Sequence, residues 1–189
     1  SPVDQGLIDQ VMHIGNGSEP QGLDPHIVTG VPEHHLLITM CEGLTISNPE
    51  GGANLPGMAE SWEISEDGKT YIFNIRKDAK WSNGDDFLAE DMVWSWMRVL
   101  TPSLGSQYPD MLYYVVGAEE FNTGVITDFS KVGVKAIDAK TLEVKLNNPT
   151  PFFLGLLSHY STWPVHKETV LEFGEIDDRQ GLWTRPGNF

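Results

Sequence analysis

The chain has one cysteine, few basic residues and no long apolar run, and each shortage removes a class of protein. Cys41, the single cysteine among 189 residues, cannot close an internal disulfide and cannot alone build a thiolate metal site. It sits among Leu36, Leu37, Ile38 and Leu44, and it reads as a small buried hydrophobe. Only 12 Lys and Arg stand against 27 Asp and Glu, a formal net charge of −15. That balance leaves no basic stripe to neutralise phosphates, so nucleic acid is excluded as a partner and an anionic membrane surface is disfavoured. The acid excess instead favours solubility and a monomer. The longest apolar stretches, such as Phe152–Leu157, are core-sized, and none is long enough to span a membrane. A hydrophobic content of 40% with 21% charged residues fits a globular chain able to bury a core. No signal peptide is visible at Ser1, so the chain reads as mature or cytosolic.

Periodicity supplies the elements. Val11–Ile14 is a strand candidate, and Gly15–Pro25 is a loop rich in Gly, Asn, Ser, Pro and Asp. Leu36, Leu37, Met40, Cys41 and Leu44 predict a helix over Glu33–Leu44, and Asn48–Gly57 is a turn region. Tyr71, Phe73 and Ile75 alternate with polar residues through Lys69–Arg76, which predicts a half-buried strand. The preceding Glu66-Asp67-Gly68-Lys69 is a hairpin turn that makes Glu60–Ser65 its partner strand. Ala89, Met92, Val93, Trp96 and Leu100 form one apolar stripe on a helix over Ala89–Leu100, ended by Pro102. A weaker helix is expected over Met111–Phe121, and a second hairpin over Val132–Leu146 turns at Asp138–Thr141. Phe152–His159 and His166–Phe173 are helical by pattern, with Gly174 placed to cap the second. The order is mixed α/β of the α+β kind, without repeats and without regular βαβ alternation.

Motifs that carry chemistry are weak. Gly15-Asn16-Gly17-Ser18-Glu19-Pro20 starts like a nucleotide loop, but it lacks the third glycine and has Pro20 where a helix would start. Neither a Gly-x-Ser-x-Gly elbow nor a His-Glu-x-x-His pair occurs. His34 and His35 are adjacent, and neighbours on a helix point about 100° apart, so they do not converge on a metal. No metal, cofactor or enzymatic activity is expected. The six tryptophans are a larger clue: about four belong in a core, and the others suit a ligand cleft.

Read together, several segments resemble the bacterial extracellular solute-binding proteins of the oligopeptide and dipeptide class. They are Asn16–His26, Gly30-Val31-Pro32-Glu33, Cys41-Glu42-Gly43-Leu44 and the long block Pro56–Trp96. The hairpin Gly133–Val144, Pro164-Val165-His166-Lys167 and Trp183–Asn188 continue the likeness across nearly the whole chain. Departures are Asp86 and Leu88, where proline and threonine are common, and Cys41, where an aromatic is common. Leu88 cannot cap the Ala89 helix, so Asp85 or Asp86 is expected to substitute.

The resemblance implies a periplasmic binding protein of type II, a two-lobed clamp, of which this chain is an N-terminal fragment without the opposing lobe. Roughly residues 1–45 and 165–189 would belong to a discontinuous base lobe, and roughly 46–164 to a smaller sub-domain packed on it. It implies an oligopeptide ligand, a membrane ABC permease as partner and a periplasmic or cell-surface location. A dipeptide, nickel chelate, haem or sugar remains an alternative ligand, and a hydrolase or structural interaction module a more remote alternative function. Four ligand-binding residues follow: the Gly30-Val31 backbone for the peptide main chain, Tyr108 in the cleft, and His159 near the ligand's carboxylate end. Apolar surface left open where further chain would pack makes a dimer conceivable.

Overall fold

The computed structural model describes residues 8–11 and 15–188. Beyond Val11, the strand expected over Val11–Ile14 lies outside the described residues. The element order is α1 (Val31–Met40), β1 (Thr45–Ile46), β2 (Leu55–Pro56), β3 (Ala59–Ile64), β4 (Thr70–Ile75), α2 (Ala89–Leu100), α3 (Ala118–Asn122), β5 (Val134–Asp138), β6 (Thr141–Lys145), α4 (Phe153–Leu156) and α5 (Lys167–Phe173), with short 3-10 turns between them.

Two hairpins build one antiparallel sheet in the order β3-β4-β6-β5. Its register follows from the alternation in β4. Tyr71 faces Val144 and Phe73 faces Leu142, so every second residue enters the core. Phe73 and Leu142 have no exposed surface at all. The first hairpin closes as its sequence predicts: Gly68 is left-handed at φ +68, and Asp67 accepts from the Lys69 N–H at 3.1 Å.

Helix α2 lies across the sheet, and the structure buries more of it than one stripe. Ala89, Met92, Trp96, Val99 and Leu100 pack in the main core, while Trp94 joins a second cluster with Val165, Val170 and Trp183. The helix is held between the sheet and the C-terminal segment, and a helix with partners on two sides is apolar nearly all round. Val93, expected in the stripe, is only half-buried. Four of the six tryptophans, Trp94, Trp96, Trp163 and Trp183, are buried.

Leu88 occupies the N-cap of α2 without a side-chain cap. Asp85 and Asp86 do not substitute: Asp86 pairs with Lys80 at 2.7 Å, and Asp85 accepts from Asn83 at 2.6 Å. The half of the capping box that remains is Asp91, which accepts the Leu88 N–H at 2.8 Å and the Trp81 indole N–H at 3.1 Å.

Elsewhere tertiary pairing shortens the expected helices. α1 stops at Met40 rather than Leu44, because Gly43 and Leu44 give their carbonyls to Met58, Gly57 and Ala59. Cys41 therefore caps a helix end and is exposed, not a buried hydrophobe. The helix expected over Met111–Phe121 breaks into a 3-10 turn, Pro109–Leu112, and the short α3. Val116 between them donates to Lys145 and accepts from Gly133, so the sheet claims its backbone. α4 is one turn rather than eight residues. Gly174 follows α5 in an extended conformation, not a left-handed cap, and its lack of a side chain admits Asp178, whose carboxylate would lie 2.4 Å from a Cβ there.

Candidate functional site

Two of the four residues expected to meet a ligand, Tyr108 and His159, enter one neighbourhood through aromatic contacts. Tyr160 sits at its centre, in the 3-10 turn Tyr160–Thr162. Its hydroxyl donates to the Val28 carbonyl at 3.2 Å, which ties this turn to the segment entering α1. Burial, with Tyr108 and Glu33 nearby, pushes the Tyr160 hydroxyl up to about 12, so it remains a donor at any working pH.

Tyr108 meets the His159 ring edge-on at 5.2 Å and the Tyr160 ring at 6.3 Å. His159 packs on Tyr160 at 4.2 Å between ring centres. His159 also caps its turn: its Nδ1 accepts the Ser161 N–H at 3.3 Å and lies 2.8 Å from the Ser161 hydroxyl. That contact puts the proton of the neutral ring on Nε2. Burial and the nearby His34 lower the His159 pKa, and Asp110 opposes them. His34, half-buried on the first turns of α1, places its ring 5.6 Å from Tyr160.

Val31 is the first residue of α1 and is 66% exposed. Its N–H has no acceptor among the described residues, as expected at a helix start, and Pro32 has no N–H. Gly30 is less open. Its carbonyl accepts the His34 N–H, and a Cβ on it would lie 1.9 Å from the Glu33 carboxylate, which turns back to accept the Gln21 N–H at 2.6 Å. The glycine at position 30 is thus explained by the fold of this loop.

A cavity of about 940 Å³ lies elsewhere. It is bordered by Leu37, Cys41, Arg76, Trp81, His166 and Trp183, and none of the four expected ligand residues lines it.

The most heavily buried charged group among the described residues is one that sequence reasoning did not single out. Arg98 on α2 has no exposed side-chain surface and grips Asp24 through two bonds, 2.9 and 2.6 Å long. Asp24 also accepts the Trp183 indole N–H at 3.1 Å and the His26 N–H at 3.0 Å. The Arg98 Nε donates to the Ile176 carbonyl at 3.0 Å. His26 lies 3.0 Å from Arg98 through Nδ1 and 2.9 Å from the Trp163 carbonyl through Nε2. A guanidinium can only donate, so Nδ1 accepts and Nε2 carries the proton. Burial, then Arg98, lowers the His26 pKa to about 4. Burial opposes ionisation of Asp24, but its bonds and charge pairing with Arg98 outweigh that and hold its pKa below the usual value. This network joins the segment before α1, the last turn of α2 and the last described turns. The available signal was a lone arginine in a helix otherwise apolar on most sides.

Comparison with known proteins bears on what such a scaffold is for. The profile of "Bacterial extracellular solute-binding proteins, family 5 Middle" matches residues 55–187. The periplasmic oligopeptide-binding protein OppA of Escherichia coli K12 is 45% identical over 183 residues, covering 95% of this chain and 32% of that protein. The oligopeptide-binding protein OppA of Bacillus subtilis 168 is 41% identical over 157 residues, covering 83% of this chain and 28% of that protein. The crystal structure of Haemophilus influenzae OppA in complex with the peptide RPPGFSPFR superposes with a TM-score of 0.83 at 38% identity, over 93% of this chain and 33% of that one. The chain therefore spans about a third of the length of the relatives it matches. Its fold is that of the corresponding part of a type II periplasmic binding protein. The chain belongs to the family 5 bacterial extracellular solute-binding proteins.

Proposed function

We propose that this chain is part of the substrate-binding component of an ABC transporter that captures oligopeptides for uptake. It acts as a carrier and not an enzyme, in the periplasm or at the cell surface, and delivers its ligand to a membrane permease. The observation that carries this reading is that the aromatic wall of Tyr108, His159 and Tyr160 is tied through the Tyr160 hydroxyl to the Val28 carbonyl, three residues before the free main-chain donor of Val31. An extended peptide offers a carbonyl to such a donor irrespective of its sequence, while ring surfaces accept varied side chains. In this reading residues 1–45 and 165–189 form part of a base lobe, and 46–164 form the sub-domain on it. Closure of a second lobe then buries the ligand.

Calorimetric titration of the complete protein with a peptide library tests the reading. Peptides bind, and the 189-residue chain alone, with half a cleft, binds them far more weakly. Binding of a metal chelate but of no peptide would sink the peptide assignment, and micromolar affinity in the 189-residue chain would sink the half-cleft. Val31, Ile38 and Met40 leave apolar area exposed on α1, which favours a weak dimer of this chain. A concentration-independent monomer mass in sedimentation excludes that dimer.

A further inference from the structure

We propose that Arg179 is a positioning residue for the cleft, setting the loop that carries Tyr108. The inference rests on the cleft reading above and adds to it a side chain that reaches the loop from the C-terminal segment. Tyr108 follows the 3-10 turn Pro102–Leu104, and Gly105 between them is left-handed, at φ +60 and ψ +41. One terminal nitrogen of Arg179 donates to the Gly105 carbonyl at 2.8 Å and also to the Leu104 carbonyl. Those carbonyls belong to the peptide planes on either side of Gly105, so the two bonds together fix both of its soft dihedrals. A glycine needs such a constraint, because unaided it moves readily between left-handed and extended conformations. Among the described residues, every other main-chain hydrogen bond of residues 104–108 stays within residues 101–111. A Cβ at position 105 would lie 2.6 Å from the same Arg179 nitrogen, so the clamp also requires the glycine.

The backbone that presents Arg179 is itself held on both sides. Arg98 donates from the buried network to the Ile176 carbonyl at 3.0 Å, and the Asp178 N–H donates to the Glu175 carbonyl at 3.0 Å. The Asp178 carboxylate accepts the Gln180 N–H at 2.8 Å. From this footing the guanidinium makes charge-assisted bonds, which are stronger than those between neutral groups. At the other end of the loop, Tyr108 packs half-buried against the cluster of Leu37, Tyr160 and Trp163, with its ring edge-on to His159 at 5.2 Å. A rotation at Gly105 redirects the chain that leads to this ring and shifts it along the aromatic wall. Binding groups work when neighbouring residues lock their placement to within about 0.5 Å, and Arg179 supplies that lock for Tyr108.

The test pairs NMR of the 189-residue chain with titration of trialanine into the complete protein. Arg179 is exposed, so Arg179→Met is expected to leave the fold intact, with amide shifts confined to the loop and its neighbours. In that variant the His159 ring signals are expected to move toward their positions in Tyr108→Ala, and trialanine affinity to fall at least about threefold. Arg179→Lys, whose one nitrogen can also serve both carbonyls, is expected to recover most of each effect. In a Tyr108→Ala background Arg179→Met should change affinity no further, as required of a residue that acts through the tyrosine. If Tyr108→Ala weakens binding while Arg179→Met does not, or if the two losses add, Arg179 is not a positioning residue and the cleft reading stands. Unmoved His159 signals in Arg179→Met, or amide shifts throughout the chain, overturn the proposal in the same way. If Tyr108→Ala itself leaves affinity unchanged, the cleft reading at Tyr108 fails and the proposal falls with it.

Discussion

Acid should unlock this fold at His26 before it reaches any carboxylate. The ring is buried and neutral, with one nitrogen against the Arg98 guanidinium and the other on the Trp163 carbonyl. Its pKa falls from 6.5 to about 4 on folding, so below pH 6.5 the unfolded chain binds a proton that the folded chain refuses. The stabilisation is complete above the unfolded value and is lost as pH falls from 6.5 toward about 4, beyond which His26 has no further effect. At 1.36 kcal/mol per unit, the loss is about 2 kcal/mol by about pH 5 and about 3 kcal/mol by about pH 4. Asp24, held below 3.8, adds its own loss only at still lower pH, where its pairing with Arg98 is titrated away. Urea unfolding at stepped pH reads this directly. With a slope of about 2 kcal/mol per molar, the midpoint falls by about 1 M between about pH 7 and pH 5. His159, whose pKa is also lowered, acts in the same direction, so His26→Gln separates the two. The variant should lose most of the pH dependence over that range. A flat wild-type midpoint, or an equal slope in His26→Gln, would refute the argument.

Two further outcomes test the packing. Arg98→Met leaves Asp24 buried without its cation and should cost about 3–5 kcal/mol in chemical denaturation, with Asp24→Asn in the same background recovering a good part. Gly43→Ala puts a Cβ 2.4 Å from the Trp163 ring and 2.7 Å from the Leu157 carbonyl, and it should lower stability by about 1–3 kcal/mol, read by thermal unfolding with Trp163 fluorescence as reporter.

Alternation and turn chemistry made both hairpins and α2 legible from their residues alone. Tyr71, Phe73 and Ile75 have only one way to share a face, and the Asp67-Gly68 pair has few other uses. The early end of α1 and the broken helix near Val116 share one cause, and the exposure of Cys41 at the end of α1 follows from the first. Each is a stretch of good local helix pattern whose backbone is claimed by a segment distant in sequence. The family likeness, legible in the ordered segments between Asn16 and Asn188, agrees with the matched relatives.

The sequence by itself determined the sheet, its inward face, the main helix and the kind of protein, because these depend on periods of two and 3.6 residues and on the order of short motifs. Only the tertiary structure decided that Tyr108, His159 and His34 meet around Tyr160, and that Asp24, His26, Arg98 and Trp183 close one buried network. Those partners lie up to 159 positions apart, and such pairings are set by burial and hydrogen-bond demand in the folded chain, to which no local pattern refers.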